Sequence, residues 1–185
     1  ALIVAIAILF GLTLPITPVQ ILWVNMITAV TLGIAFAWEG AEDDVMARPP
    51  RSSNEPLLSG FVLWRTLFVG ALLLVGAGLL FTQAADDPSR SLPQARTLAV
   101  NAFVTGQISY LLNVRRFMRP SWTAESLRGN RVLPVTIAAC VGLQLLLTHA
   151  PFMNTLFGTA PLEPGGWLLC ILAGAATFLV VEIEK

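Results

Sequence analysis

The sequence predicts an all-α fold, a polytopic transmembrane helical bundle of about six spans whose first span is truncated. Hydrophobic residues make up 56% of the 185 residues and charged residues only 12%, whereas soluble domains average roughly 45–50% and 25%. A helix needs roughly 20 residues to cross the hydrocarbon core of a bilayer. Four apolar segments approach that length, at about 61–82, 96–114, 132–149 and 166–183. A lipid bilayer is therefore the expected solvent and partner.

Two further spans precede these four. The segment 1–14 is a shorter apolar helix whose start is missing, and 19–37 is a longer one. Pro15 and Pro18 lie between them and cannot continue a helix, so the two spans form a tight hairpin. We expect one membrane domain, divided into an ion-site hairpin at 1–37, a coupling loop at 38–60 and a four-helix scaffold at 61–185.

The distribution of arginine predicts the orientation. The stretch 115–131 carries five arginines and 39–60 carries two, whereas 84–95 carries one and 150–165 none. Because Lys and Arg accumulate in cytoplasmic loops, loops 39–60 and 115–131 are predicted to be cytoplasmic. The plain, short loops fit a bacterial cytoplasmic membrane. Eleven basic residues balance eleven acidic ones, which gives no reason to expect a nucleic-acid partner.

Polar side chains interrupt the second span. Asn25 and Thr28 are three residues apart and share a helix face, with Gln20 and Thr31 nearby on the same helix. Amide and hydroxyl oxygens can replace the hydration shell of a cation. They can also simply hydrogen-bond neighbouring helices. Spacing alone leaves both interpretations open.

The fourth span is unusually polar for a membrane helix and must face the interior of the bundle. Its polar residues are Asn101, Thr105, Gln107, Ser109 and Asn113. Gln107 can supply an oxygen to a cation or hydrogen-bond a neighbouring helix, and spacing does not decide between them. Other small residues in the spans are predicted to serve packing only: Gly70, Gly76, Gly78, Gly174, Cys140 and Cys170.

The chain shows no catalytic constellation of its own. No Ser/His/Asp, Cys/His or glycine-rich phosphate loop can be assembled, and His149 has no second metal ligand near it in sequence. We therefore expect neither catalytic residues nor a cofactor site within these 185 residues.

Two motifs nevertheless suggest a family. The run Leu14-Pro-Ile-Thr-Pro-Val-Gln-Ile-Leu-Trp-Val-Asn25 is followed at a distance by Asp44-Val-Met-Ala-Arg-Pro-Pro-Arg51. Together they resemble the fifth-to-sixth helix region of type II P-type ATPases, the group that includes calcium and sodium/potassium pumps. The remaining segments fit that family's last four helices, so the resemblance covers essentially the whole chain.

The resemblance implies a cation site. In that family the sixth helix unwinds within the membrane and supplies ligands, and Asn25 and Thr28 match ligand positions. Gln107 aligns with an eighth-helix position that holds a carboxylate in calcium pumps and an amide in some relatives. These three residues are the candidate ligands of the transported cation.

The sequence departs from the calcium-pump pattern in one feature that affects the charge of the site. Calcium pumps carry an Asp-Gly pair after the threonine, whereas this chain has Ala29-Val30. A divalent cation held by neutral oxygens alone lacks charge compensation. The family's acidic fifth-helix ligand would lie just before Ala1. The nearest glycine on the sixth helix is Gly33, so the point of unwinding is open.

The resemblance also implies an ATP-driven pump whose ATP and Mg²⁺ bind in upstream N-terminal and cytoplasmic domains. The loop at 38–60 would couple those domains to the ion site through Glu39, Asp43, Asp44, Arg48 and Arg51. An alternative is a free-standing six-helix membrane scaffold or partner-binding protein that pumps nothing. A third possibility is a secondary transporter, but such folds often show matching broken helices, and only 19–37 looks broken.

Overall fold

The computed structural model describes residues 2–38, 60–114 and 132–184. Within these ranges it is built entirely from helices, which confirms the all-α prediction. The helices are α1 (Leu2–Leu9), α2 (Pro18–Ala37), α3 (Gly60–Ala85), α4 (Leu92–Val114), α5 (Leu133–His149), α6 (Pro151–Phe157) and α7 (Pro164–Glu184). The predicted coupling-loop residues Glu39, Asp43, Asp44, Arg48 and Arg51 lie outside the described residues, as does the stretch 115–131.

The six predicted spans are met only in part by the described helices, because α1 has eight residues, too few to cross a bilayer, and α4 is not among the helices that reach the length and hydropathy of a span. Helices α2, α3 and α7 are each long and apolar enough to cross a bilayer, and α5 and α6 reach that criterion together as a pair bent by 81°. Helix α6 was not predicted. It arises because Pro151, lacking an N–H, cannot continue α5 but is well suited to the first turn of a new helix.

The start of α2 is encoded locally. Thr17 is its N-cap: the Gln20 backbone N–H donates to the Thr17 hydroxyl, and the Thr17 backbone N–H donates to Gln20 Oε1. Pro18 occupies the first turn, where its missing N–H costs nothing. The turn before α2 is held to α4, because Arg96 Nε donates to the Leu14 carbonyl at 3.0 Å.

Helix α4 lies at the centre of the bundle and contacts α2, α3, α5 and α7. Its Asn101 and Asn113 side chains are buried, which confirms the predicted inward orientation. Asn113 Nδ2 donates to the Phe178 carbonyl at 3.0 Å, and Thr105 Oγ1 donates to the Cys170 carbonyl at 2.8 Å. These polar contacts fix the position of α4 along α7, which apolar contact alone would not do.

Only one of the glycines that were predicted to mediate helix packing does so among the described residues. A Cβ at Gly174 would lie 3.0 Å from Ser109 Oγ and 3.2 Å from the Thr105 carbonyl oxygen. A Cβ at Gly70, Gly76 or Gly78 would meet nothing within 4 Å, so for these three the prediction is wrong within the described part of the chain. The predicted packing role of Cys140 and Cys170 fits their full burial as free thiols.

Replacing Gly174 with valine is expected to lower the unfolding free energy by about 2–4 kcal/mol, because the added methyls must push α4 and α7 apart against backbone. Thermal unfolding in detergent measures this change. Gly142→Val is the matched control, since a Cβ at Gly142 meets nothing within 4 Å. Equal losses in the two variants would contradict close packing at Gly174.

Candidate cation site

Helix α2 has two distinct faces. Gln20, Trp23, Ile27 and Thr31 are buried against the rest of the bundle. The other face, which includes Asn25 and Ala29, is exposed within the described residues. Gln20 and Thr31, which the sequence placed near Asn25 on the same helix, lie on the packed face, where they make hydrogen bonds inside the fold.

Asn25 lines a cavity of about 460 Å³ between α2, α3 and α4. The walls are largely apolar, formed among others by Ile21 and Val24 of α2, Leu67 of α3 and Phe103 of α4. Thr66 also lines the cavity, but its hydroxyl donates to the Val62 carbonyl of its own helix. Asn25 therefore brings a polar side chain, itself exposed within the described residues, to a predominantly apolar space.

Thr28 lies beside Asn25 on α2 and is half-buried. Its hydroxyl donates to the Val24 carbonyl at 2.8 Å, which leaves the oxygen lone pairs able to accept or coordinate. Thr31 makes the same kind of bond to the Ile27 carbonyl. Both hydroxyls thus bond backbone carbonyls of an intact helix.

The family's unwound segment is not seen in α2, which is continuous from Pro18 to Ala37. The physical reason is the sequence at the expected break. Ala29 and Val30 keep a regular backbone where calcium pumps carry an Asp-Gly pair, and a glycine there would have favoured a break. Gly33 also lies within the regular helix.

Gln107 lies on α4, one helical turn from Phe103, so the two share a face. Its side chain is half-buried, and its Oε1 atom is buried without a hydrogen-bond donor among the described residues. An unsatisfied buried carbonyl oxygen costs free energy and suits a cation ligand. Of the three candidate ligands, only Asn25 lines the cavity; Thr28 and Gln107 lie on the neighbouring parts of α2 and α4 without lining it, and the structure gives no direct contact among the three.

Among the described residues, no acidic side chain lines this cavity. No group of three or more His, Cys, Asp or Glu residues that could hold a metal occurs in the described ranges. The described acidic residues lie near helix ends. One of them, Asp87, accepts bonds from the Ser89 hydroxyl and backbone N–H, which hold the pKa of its carboxyl below the usual value, with a further contribution from Arg90.

Sequence reasoning missed a buried polar network behind α2. Trp23 Nε1 donates to Gln144 Oε1 at 3.1 Å, and Gln20 Nε2 donates to the Phe157 carbonyl at 2.9 Å. Asn101 Nδ2 donates to Thr148 Oγ1 at 3.0 Å. The sequence did contain an indication of this network. Gln144 is an amide in the middle of an apolar span, and a polar residue at such a position commonly has a partner or a function.

Comparison with known proteins identifies the family. A family model described as "Cation transporting ATPase, C-terminus" matches residues 13–185. The chain belongs to this family. The predicted resemblance to the C-terminal membrane domain of a P-type cation-transporting ATPase is thereby confirmed, and the free-standing scaffold is not favoured.

Relatives of this cation-transporting ATPase domain come from several bacteria. The chain is 39% identical over 183 residues to a probable cation-transporting ATPase F of Mycobacterium tuberculosis, covering 99% of this chain and 20% of that protein. It is 33% identical to a cation-transporting ATPase of Synechocystis (91% and 19% covered) and 29% identical to a calcium-transporting ATPase of Bacillus subtilis (97% and 20%). The chain thus spans about a fifth of the length of these relatives.

Proposed function

We propose that this chain is the cation-binding and translocating membrane part of an ATP-driven P-type cation pump. Upstream domains of the same pump bind ATP and Mg²⁺ and hydrolyse the nucleotide. The observation that carries the proposal is the cavity between α2, α3 and α4, which receives the Asn25 amide in a chain of the cation-transporting ATPase family.

The proposed ligands are oxygen atoms: Oδ1 of Asn25, Oγ1 of Thr28 and Oε1 of Gln107. All three are neutral, so they replace the hydration shell of an ion without cancelling its charge. A divalent cation at this site requires an anionic ligand from another part of the pump, because Ala29 offers none.

The pump is proposed to reside in a bacterial cytoplasmic membrane, as the short loops and the bacterial relatives support. Loops 39–60 and 115–131 face the cytoplasm in this proposal. Residues 1–37 form the ion-site hairpin, 38–60 the coupling loop and 61–185 the scaffold. Charged residues of the coupling loop, Glu39, Asp43, Asp44, Arg48 and Arg51, transmit movement of the ATP-hydrolysing domains to the hairpin.

The test uses the full-length pump with Ca²⁺, Na⁺ and K⁺ each titrated alone while ATP hydrolysis is measured. Asn25→Ala and Gln107→Ala are each expected to weaken the apparent affinity for the activating cation roughly tenfold or more, the factor expected from losing one ligand of a charged group. Each variant removes a single coordinating oxygen, so weakened affinity reports on the site directly.

Asn113→Ala is the matched control. Asn113 is a buried amide on α4 whose Oδ1, like Gln107 Oε1, has no donor among the described residues, but its Nδ2 is held by the Phe178 carbonyl of α7. Its loss is expected to lower thermal stability and to leave cation affinity unchanged. Unchanged affinity in both Asn25→Ala and Gln107→Ala would overturn the proposed site.

A further inference from the structure

Gln144 is a buried amide in the middle of α5. Its side chain is 4% exposed, and its Oε1 accepts a hydrogen bond from Trp23 Nε1 of α2 at 3.1 Å. An indole N–H can only donate, so the oxygen of the amide must face Trp23. The orientation of the Gln144 side chain is therefore set by α2.

Stability of the fold does not account for this glutamine. Its Nε2 atom is buried and has no acceptor among the described residues, and a buried donor without a partner costs free energy. An apolar pair at positions 23 and 144 would avoid this cost and fill the same space. The Trp23–Gln144 hydrogen bond therefore calls for an explanation other than stability.

The bond lies on the opposite side of α2 from the cavity. Trp23 and Asn25 are two positions apart, which places their side chains about 200° apart around the helix. The Trp23 ring also packs edge-on against Phe157, with ring centroids 5.1 Å apart. One turn earlier, Gln20 Nε2 bonds the Phe157 carbonyl, and this bond holds the start of the helix.

These contacts have different roles. The Gln20 bond joins the first turn of α2 to the Phe157 backbone and fixes the position of the helix along its axis. The Trp23 bond reaches a side chain farther along the helix, and its direction is fixed by the planar indole. A rotation of α2 that turns Asn25 out of the cavity must break this bond, since Trp23 turns with it.

We propose that Gln144 is a positioning residue that holds α2, through Trp23, in the rotation that directs Asn25 into the cavity. The inference rests on the proposed function of Asn25 as a cation ligand. Gln144 itself touches no cation in this proposal.

The first test measures rotation without reference to cation binding. In the full-length pump carrying Asn25→Cys, the rate of labelling by a membrane-permeant maleimide reports the exposure of position 25. The signal from the chain with Asn25 intact is subtracted. Adding Gln144→Met, which removes the acceptor at similar volume, is expected to change the labelling rate about fivefold, the factor that one net hydrogen bond allows.

Two further variants control for misfolding and for the general loss of a buried polar group. Trp23→Phe combined with Gln144→Met removes donor and acceptor together, so no polar group is left unsatisfied, and it is expected to fold like the parent and show the same labelling change. Thr136→Val is the control. It removes a different buried polar group of α5, a hydroxyl that bonds the Leu133 carbonyl of its own helix, and is expected to change neither labelling nor affinity.

The second test measures function with Asn25 in place. Gln144→Met is expected to weaken apparent cation affinity about fivefold while the maximal rate of ATP hydrolysis stays within about twofold. Gln144→Glu keeps a carbonyl acceptor for Trp23 and is expected to restore both affinity and labelling. A fall in maximal rate with unchanged affinity would indicate a general structural role and overturn the proposal.

The experiments distinguish failure of the positioning role of Gln144 from failure of the proposed cation site. Unchanged labelling in both Gln144→Met and the double variant overturns the positioning role, whatever Asn25 does. Changed labelling together with unaltered cation affinity in both Asn25→Ala and Gln107→Ala confirms that Gln144 orients α2 and overturns the cation site itself.

Discussion

Replacing Arg65 with methionine is expected to lower the free energy of unfolding by about 2–4 kcal/mol, because it leaves a partly buried carboxylate without its partner. Arg65 is 1% exposed near the start of α3, and its Nη1 lies 3.5 Å from Glu184 Oε2 at the end of α7. The guanidinium also lies over the Phe61 ring, 5.8 Å from its centroid. Thermal unfolding of the purified protein in detergent measures the loss.

Arg90→Met is the control for this change. Arg90 forms an ion pair with Asp87 at 3.2 Å, but both side chains are about a third exposed. Exposed ion pairs contribute about 0–1 kcal/mol, so this variant is expected to be nearly neutral. A double variant Arg65→Met with Glu184→Gln is expected to recover part of the loss. Equal destabilisation by Arg65→Met and Arg90→Met would show that burial of the Arg65 pair has no energetic consequence.

Replacing Ala29 with aspartate in the full-length pump is expected to raise the apparent affinity for Ca²⁺ about tenfold or more. Ala29 lies one turn from Asn25 on the exposed face of α2. A carboxylate there adds an anionic ligand to a set of neutral oxygens, and its attraction for a divalent ion is strong in a low-dielectric setting. Ca²⁺ titration of ATP hydrolysis measures the change.

Ala29→Asn separates charge from shape. Asparagine has nearly the volume of aspartate and offers a carbonyl oxygen without the charge, so its effect on Ca²⁺ affinity is expected to be small. If Ala29→Asp and Ala29→Asn behave alike, charge compensation at position 29 does not govern divalent binding. If neither changes affinity, the exposed face of α2 is not the ion-binding face.

Much of the fold could be predicted from local sequence. Apolar segments of membrane-crossing length predicted α2 to α5 and α7 to within a few residues, because in lipid the backbone must satisfy its own hydrogen bonds. Pro15 and Pro18 predicted the break before α2, and Thr17 with Gln20 encoded the cap. Helix α6 escaped prediction, because its seven residues are too few to form a periodic pattern that could be recognised.

The candidate site, too, could be predicted only in part from the sequence. The motif ending at Asn25 and the polar character of α4 are sequence properties, and they were sufficient to identify the family and the candidate ligands Asn25, Thr28 and Gln107. Which face of α2 is packed could not be predicted, because Gln20 and Asn25 are both amides in the same span and only their partners distinguish them. Gln20 bonds the Phe157 carbonyl, whereas Asn25 lines the cavity.

By itself, the sequence determined the class of fold, the family and the approximate bounds of α2 to α5 and α7, since these depend on composition, periodicity and residues close together in the chain. Only the tertiary structure decided which face of α2 is packed and that Trp23 bonds Gln144. It also decided that a helix packs closely at Gly174 but not at Gly70, Gly76 or Gly78. These features depend on contacts between residues that are far apart in the chain, 121 positions apart in the case of Trp23 and Gln144. No local pattern encodes such a contact, because it exists only once the helices have packed.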